Sequence, residues 1–184
     1  MNNGAECYSR FLSGDKKAIE EIIRDYKDGL IFYLFSIVGD IHTSEELAID
    51  TFIKLFSEQP KFKGEGAFKT WLYAIGRHTA LDHLRKLSKR HEVPLEEAAD
   101  VSGEESIEQS YISDEEKISL RRTINRLKPE YSQVLYLIYF EGFNHDETAK
   151  IMKKSKKQVI DLLYRAKGAL KKQLEKEGYS YDGL

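Results

Sequence analysis

The sequence predicts an all-α protein, built as two helical domains joined by a flexible acidic linker, the C-terminal domain being a helix-turn-helix. Three observations carry that expectation. Apolar residues recur at three- and four-residue steps over most of the chain, which is the period of one helix face, and strand-like alternation of β-branched residues is scarce. Only three prolines interrupt the 184 residues. Charge is also unevenly placed. Between His91 and Ser113 stand seven acids and no Lys or Arg, whereas Lys61–Arg90 holds eight cations against Glu65 and Asp82, and Asp114–Glu177 holds fifteen cations against ten acids. The length suits one large domain or two of roughly 80 residues. The acidic block divides the chain into domains 1–90 and 114–184, with 91–113 as a linker whose like charges discourage collapse.

Taken in order, Glu6–Leu12 reads as a short helix stopped at Ser13-Gly14, and Asp15 is placed to cap the next. Ile19, Ile22, Ile23, Tyr26, Leu30, Tyr33, Leu34 and Ile37 then form one stripe of a long amphipathic helix ended near Gly39. Thr43 or Ser44 can cap a third helix, with Glu45 and Glu46 in the first turn where the helix dipole favours anions. Its stripe is Leu47, Ala48, Thr51, Phe52 and Leu55, and Pro60 stops it. Lys61–Ala67 reads as a glycine-bearing loop and Phe68 to about Lys89 as a fourth helix. There Trp71, Leu72, Ala74, Ile75, Leu81 and Leu84 make an apolar band, and His78, Asp82, Arg85 and Lys89 share a polar row. Interleaved aromatics and cations suit phosphate binding with base stacking. The same pattern also fits an amphipathic helix with a solvated basic face, and Asp82 beside Arg85 is either surface decoration or a device that holds Arg85 for a phosphate.

Beyond the acidic block, helices are expected over about 114–127 and 129–141, the second behind Pro129, which suits a first helical turn. Asn144 with Glu147, and Ser155 with Gln158, have capping-box spacing eleven residues apart. They define a short helix, a turn at about Met152–Lys154 and a second helix. Small Ala149 sits where the helices would cross, and Ile151, Val159 and Leu163 would fill the angle between them. This is helix-turn-helix geometry, and Lys153, Lys154, Lys156 and Lys157 beside the second helix favour DNA over a generic helical hairpin.

Several function classes are disfavoured. MNNGAECYSR has no apolar core behind a basic segment, as a secretory signal requires, and no run approaches the roughly eighteen apolar residues of a membrane span. One cysteine forms neither an internal disulfide nor a multi-cysteine zinc site. A cytoplasmic protein without cofactor or metal is expected. For an enzyme, Asp82-His83 and His145-Asp146 superficially resemble metal-dependent phosphohydrolase dipeptides. His78 and Asp82 offer two ligands without a third, and Cys7 lies in a terminal segment expected to fray.

The chain resembles the bacterial sigma-70 factors, specifically their extracytoplasmic-function (ECF) group. In the first half the matching strings are Asp28-Gly29-Leu30, Glu45-Glu46-Leu47-Ala48-Ile49-Asp50-Thr51-Phe52 and Phe68-Lys69-Thr70-Trp71-Leu72-Tyr73-Ala74-Ile75, followed by Arg77, Asp82 and Arg85. In the second half they are Leu127-Lys128-Pro129, Tyr139-Phe140-Glu141-Gly142-Phe143, Glu147-Thr148-Ala149 and Tyr164-Arg165-Ala166-Lys167. The resemblance implies a non-catalytic subunit that binds core RNA polymerase and directs it to promoter DNA under the restraint of an anti-sigma factor. It implies polymerase contacts at Glu46, Leu47, Asp50, Thr51 and Phe52, among which Leu47 and Phe52 also have a core reading. It implies contacts to the −10 element from Lys61, Lys63, Lys69, Arg77, His78, Asp82 and Arg85, whereas the place of Trp71 in the apolar band assigns it to the core. Contacts to the −35 element would come from Ser155, Lys156, Lys157, Gln158, Asp161, Tyr164, Arg165 and Lys167.

The chain departs from the family pattern twice. His78 stands where the family usually has Asn, and Ile160-Asp161-Leu162 replaces a stretch that is usually Lys-Ser-Arg-like. The second departure removes donors and adds an anion able to accept from cytosine N4 or repel phosphate, implying an unusual −35 preference, or a weaker dependence on that element, with DNA binding kept. The rival reading is a helix-turn-helix regulator acting without polymerase, which leaves the first domain unexplained and usually needs a dimer.

Overall fold

A computed structural model of the protein describes residues 4–62, 67–91 and 115–177, and within them every regular element is helical. The expected acidic linker, Lys63 and most of the glycine-bearing loop lie outside the described residues. The helices are α1 (Gly4–Leu12), α2 (Lys17–Val38), α3 (Ile41–Ser57), α4 (Phe68–His91), α5 (Glu115–Asn125), α6 (Pro129–Leu135), α7 (His145–Met152) and α8 (Lys156–Lys176). Helix α6 runs on into one π-helical turn, Tyr136–Phe140.

The first four helices enclose the stripe that the periodicity marks: Ile22, Tyr26, Leu30 and Leu34 of α2 are buried, as are Leu47, Ala48, Thr51, Phe52 and Leu55 of α3. Helix α1, expected to fray, is pinned instead. Tyr8 is 1% exposed and its hydroxyl donates to the Pro60 carbonyl at 2.9 Å. Its ring lies 5.4 Å from Trp71, which also meets Phe62 at 5.1 Å. Arg10 adds ion pairs to Asp15 at 2.6 Å and Glu21 at 3.0 Å, and its hydrogen bonds hold both carboxylates below their ordinary range.

Two boundaries differ from the expectation. Asp40, not Thr43 or Ser44, caps α3: it is extended, and its carboxylate accepts from the Thr43 N–H at 2.7 Å. Ser44 already lies in the first turn and its hydroxyl donates to the Asp40 carbonyl. The expected helix over 129–141 is regular only to Leu135. The Glu141 N–H then reaches the Tyr136 carbonyl at 3.1 Å, the Phe143 N–H reaches Leu137 at 3.0 Å, and Gly142 takes φ +71°, a left-handed conformation that glycine adopts without steric cost.

The two halves are packed together. Helix α4 lies against α7, and α2 against α6. Tyr73 of α4 stacks on Tyr33 of α2 at 5.4 Å and meets Phe143 edge-on at 5.1 Å, carrying the aromatic core across the junction. The Arg121 guanidinium of α5 sits over Phe32 of α2 at 4.4 Å and over Phe140 at 5.0 Å, cation–π contacts that gain strength as water is excluded.

Candidate nucleic-acid interface

Helix α3 presents two faces. Leu47 and Thr51 are 3% and 0% exposed, and the Thr51 hydroxyl is used on the Leu47 carbonyl, so both expected contact residues lie beneath the surface. They hold the helix in place and cannot touch a partner. Phe52, 5% exposed, reaches only the floor of a cleft of about 630 Å³ that it shares with Ile23, Lys27, Ala48, Ile49, Ile53 and Phe56. The face that points outward is Glu46, Ile49, Asp50 and Ile53, at steps of three, one and three. Ile49 and Ile53 are more than half exposed at 56% and 54%, which is unusual for large aliphatics set side by side above an apolar cleft.

Helix α4 splits the basic block in two. On its outer side His78 lies 3.2 Å from Asp82, and Asp82 holds Arg85 in turn, giving the expected row. Arg85 is 65% exposed there, so it can exchange Asp82 for another anion, and Lys61 is likewise exposed. Lys69 and Arg77 point the other way. The Lys69 ammonium pairs with the Glu141 carboxylate at 2.8 Å, donates to the Glu141 carbonyl at 2.8 Å and lies over the Phe143 ring. Arg77 donates to the Gln133 side chain at 3.3 Å. Both cations expected to face DNA are therefore held by the second half of the chain. Glu141 also accepts from the Tyr73 hydroxyl at 2.6 Å. Burial, with Glu141 beside it, pushes that hydroxyl far above the ordinary tyrosine range, so Tyr73 stays a donor. The backbone of α2 runs close beneath: a Cβ on Gly29 would stand 2.5 Å from the Tyr73 hydroxyl and 2.7 Å from Glu141.

Helices α7 and α8 form the expected helix-turn-helix. Both capping boxes are complete: Asn144 accepts from Asp146 and Glu147, and Ser155 accepts from Gln158 while Gln158 accepts from Ser155. Between them Lys153 takes the left-handed conformation (φ 52°) and the Lys154 N–H returns to the Ala149 carbonyl at 3.0 Å. Val159, Leu162, Ala166 and Leu170 are buried and fix the rotation of α8. Leu162 is thus a core residue and no surface departure at all, and Leu163 packs beside it, partly buried against the core. Ser155 and Gln158 spend their side chains on the cap, and Lys156 pairs with Asp146 at 2.8 Å. Lys157, Asp161, Tyr164 and Arg165 are exposed, while Lys167 lies over the Tyr139 ring at 5.5 Å.

The enzyme-like dipeptides gain no support from their surroundings. Among the described residues no three His, Cys, Asp or Glu side chains are grouped to hold a metal. The Cys7 thiol donates to Glu21, and burial together with that carboxylate pushes its ionisation up, the reverse of what a nucleophile needs. No helix among the described residues is long and apolar enough to cross a membrane.

The chain matches Sigma-70 region 2 over residues 22–90 and Sigma-70, region 4 over residues 117–170. It is 30% identical to the RNA polymerase sigma factor YlaC of Bacillus subtilis, covering 88% of this chain and 94% of that one. To the RNA polymerase sigma-H factor of Pseudomonas aeruginosa it is 29% identical, covering 92% and 93%. Among solved structures, the sigma factor RpoE in complex with the anti-sigma factor NepR from Bartonella quintana shares the fold with a TM-score of 0.66 at 20% identity, over 86% of this chain and 98% of that one. CnrH in complex with the cytosolic domain of CnrY does so with a TM-score of 0.63 at 18% identity, over 94% of each.

Proposed function

This chain belongs to the sigma-70 family, in its extracytoplasmic-function group, and on that premise we propose that it binds core RNA polymerase in the cytoplasm and directs promoter recognition, −10 melting and transcription initiation. The observation that carries the reading is the order of the two matched regions along one chain, each bearing an outward surface of the required chemistry. The first unit, 1–90, docks on polymerase through α3, where Glu46 and Asp50 supply charge and Ile49 and Ile53 supply apolar area beside the cleft. The same unit takes the −10 element on Lys61, His78 and Arg85, with Asp82 orienting Arg85, and Lys69 and Arg77 join once the second half moves away. An extruded base costs roughly a few kcal/mol of lost stacking, which such contacts offset.

The second unit, 114–184, reads the −35 duplex with α8, through Lys157, Asp161, Tyr164 and Arg165 at the groove. Neither unit performs catalysis. One neighbouring structure holds a sigma factor in complex with an anti-sigma factor, which supports restraint of this chain by a partner of that kind. The rival reading, a helix-turn-helix regulator independent of polymerase, gives the exposed face of α3 no role. Gel filtration of the purified chain with core polymerase at low salt tests the choice: a stable complex is expected, and its absence would sink the sigma reading. Run-off transcription on a genomic library then reports the promoter.

A further inference from the structure

The recognition helix is pinned in rotation by Val159, Leu162 and Ala166, none more than 3% exposed. What it turns outward is an unusual surface for a helix among cations. Tyr164 is 78% exposed and Ile160, one turn before it, 45% exposed. Lys157 and Asp161 share this face, and neither side chain has an ion-pair partner among the described residues. One turn further on, a Cβ at Gly168 would meet nothing within 4 Å, so no side chain closes off the end of the stripe. Ile160 is the fifth residue of α8, within the N-terminal part that a helix-turn-helix presents to base edges.

An aliphatic side chain offers no hydrogen bond to any base edge. The one apolar group displayed in the major groove is the C5-methyl of thymine. Resting on the proposed duplex-reading role of α8, we propose that Ile160 specifies a thymine in the −35 element by packing on its C5-methyl group, with the Tyr164 ring closing the contact from the next turn. Asp161, adjacent but turned about 100° around the helix axis, reads a different position by accepting from cytosine N4. Methyl packing and one acceptor thus add to what Lys157 and Arg165 supply at the groove.

The probe is deoxyuridine, which pairs as thymine does and lacks only the methyl. Holoenzyme made from core polymerase and the full chain is bound to a promoter recovered by run-off transcription, and each −35 thymine on either strand is replaced in turn. One position should bind about fourfold more weakly as uracil, the loss expected for one methyl returned to water. In Ile160→Ala holoenzyme, thymine and uracil should bind equally at that position, while Asp161→Asn should keep the uracil effect and relax a cytosine elsewhere. Uracil without effect at every position, or an effect that persists in Ile160→Ala, overturns the proposal. If binding is indifferent to the whole −35 duplex, the duplex-reading role itself fails, a result separable from the first by replacing the element outright. Equal melting temperatures for the variants and the parent chain exclude misfolding.

Discussion

Glu141 joins the two halves through both its carboxylate and its carbonyl, and replacing it gives a sharp test of that packing. A single carboxylate oxygen receives both the Lys69 ammonium at 2.8 Å and the Tyr73 hydroxyl at 2.6 Å. Glu141 and Lys69 side chains are 11% and 28% exposed, so water can replace the partner for Lys69 only in part and for Tyr73, fully buried, hardly at all. In Glu141→Leu the Tyr73 hydroxyl loses its acceptor, which costs about 1–3 kcal/mol, and Lys69 loses its counter-charge, keeping the backbone carbonyl of residue 141 and the Phe143 ring. Together the expected loss is about 3 kcal/mol. At roughly 2–4 °C per kcal/mol for a chain of this size, the melting temperature should fall by about 6–12 °C. Glu141→Gln retains an acceptor and should lose about half as much. Differential scanning calorimetry, combined with a double-mutant cycle against Tyr73→Phe, reads both the total and the coupling, expected at about 1–2 kcal/mol. A melting temperature within about 1 °C of the parent chain for Glu141→Leu, or additive effects in the cycle, would refute the reasoning.

Other expectations follow from particular contacts. Gly29→Ala forces a methyl against the Tyr73 hydroxyl and Glu141, and should destabilise by about 1–3 kcal/mol, the usual range for overpacking, as read by urea denaturation. Lys153→Gly relieves a left-handed lysine between α7 and α8 and should stabilise by about 1 kcal/mol, whereas Lys153→Val should do the reverse. The docking of α1 should weaken in acid. Asp15 and Glu21 ionise below their ordinary range because Arg10 hydrogen-bonds them. Their contribution is therefore complete above the ordinary carboxylate range and is lost as pH falls through and below it. Trp71, the sole tryptophan, touches Tyr8, so its fluorescence should report that loss, and Arg10→Ala should abolish the acid dependence of the signal. Finally, Ile49→Asp with Ile53→Asp should abolish polymerase binding in gel filtration without lowering the melting temperature, since both side chains are more than half exposed.

Much of this architecture is legible in the sequence because it is local. The stripes of α2 and α3 and the paired caps Asn144/Glu147 and Ser155/Gln158 follow from spacing within a few residues, and the structure reproduces them. So does the row His78–Asp82–Arg85. The outer face of α3 follows from helix phase as well: a helix that buries Leu47, Thr51 and Phe52 must turn Glu46 and Asp50 outward, and Ile49 and Ile53 with them. Helix phase likewise places Leu162 inside α8 with Val159 and Ala166, beside the partly buried Leu163.

The junction between the halves is different in kind. Glu141 meets Lys69 and Tyr73 across 72 and 68 residues of sequence, and no periodicity connects positions so far apart. Glu141 also follows directly on a π-helical turn, as its C-cap, and that widened backbone has no composition signal comparable to a cap or a proline. The orientation of Lys69 and Arg77 depends on that junction, so their partners could not be read from α4 alone.

The pairing of Lys69 with Glu141 has a consequence for how the proposed DNA binding should respond to salt. A cation that reaches a phosphate from water releases a counterion from the nucleic acid, and the salt slope counts such events. On the proposed −10 role, Lys69 would reach a phosphate only by leaving a carboxylate, and the carboxylate left behind would gather a cation of its own. One ion is released and one is taken up. For any phosphate carried by Lys69 the net ion count is close to zero, and the slope of log K against log salt should undercount the phosphates actually touched. Arg77, which leaves only the neutral Gln133 side chain, carries no such correction.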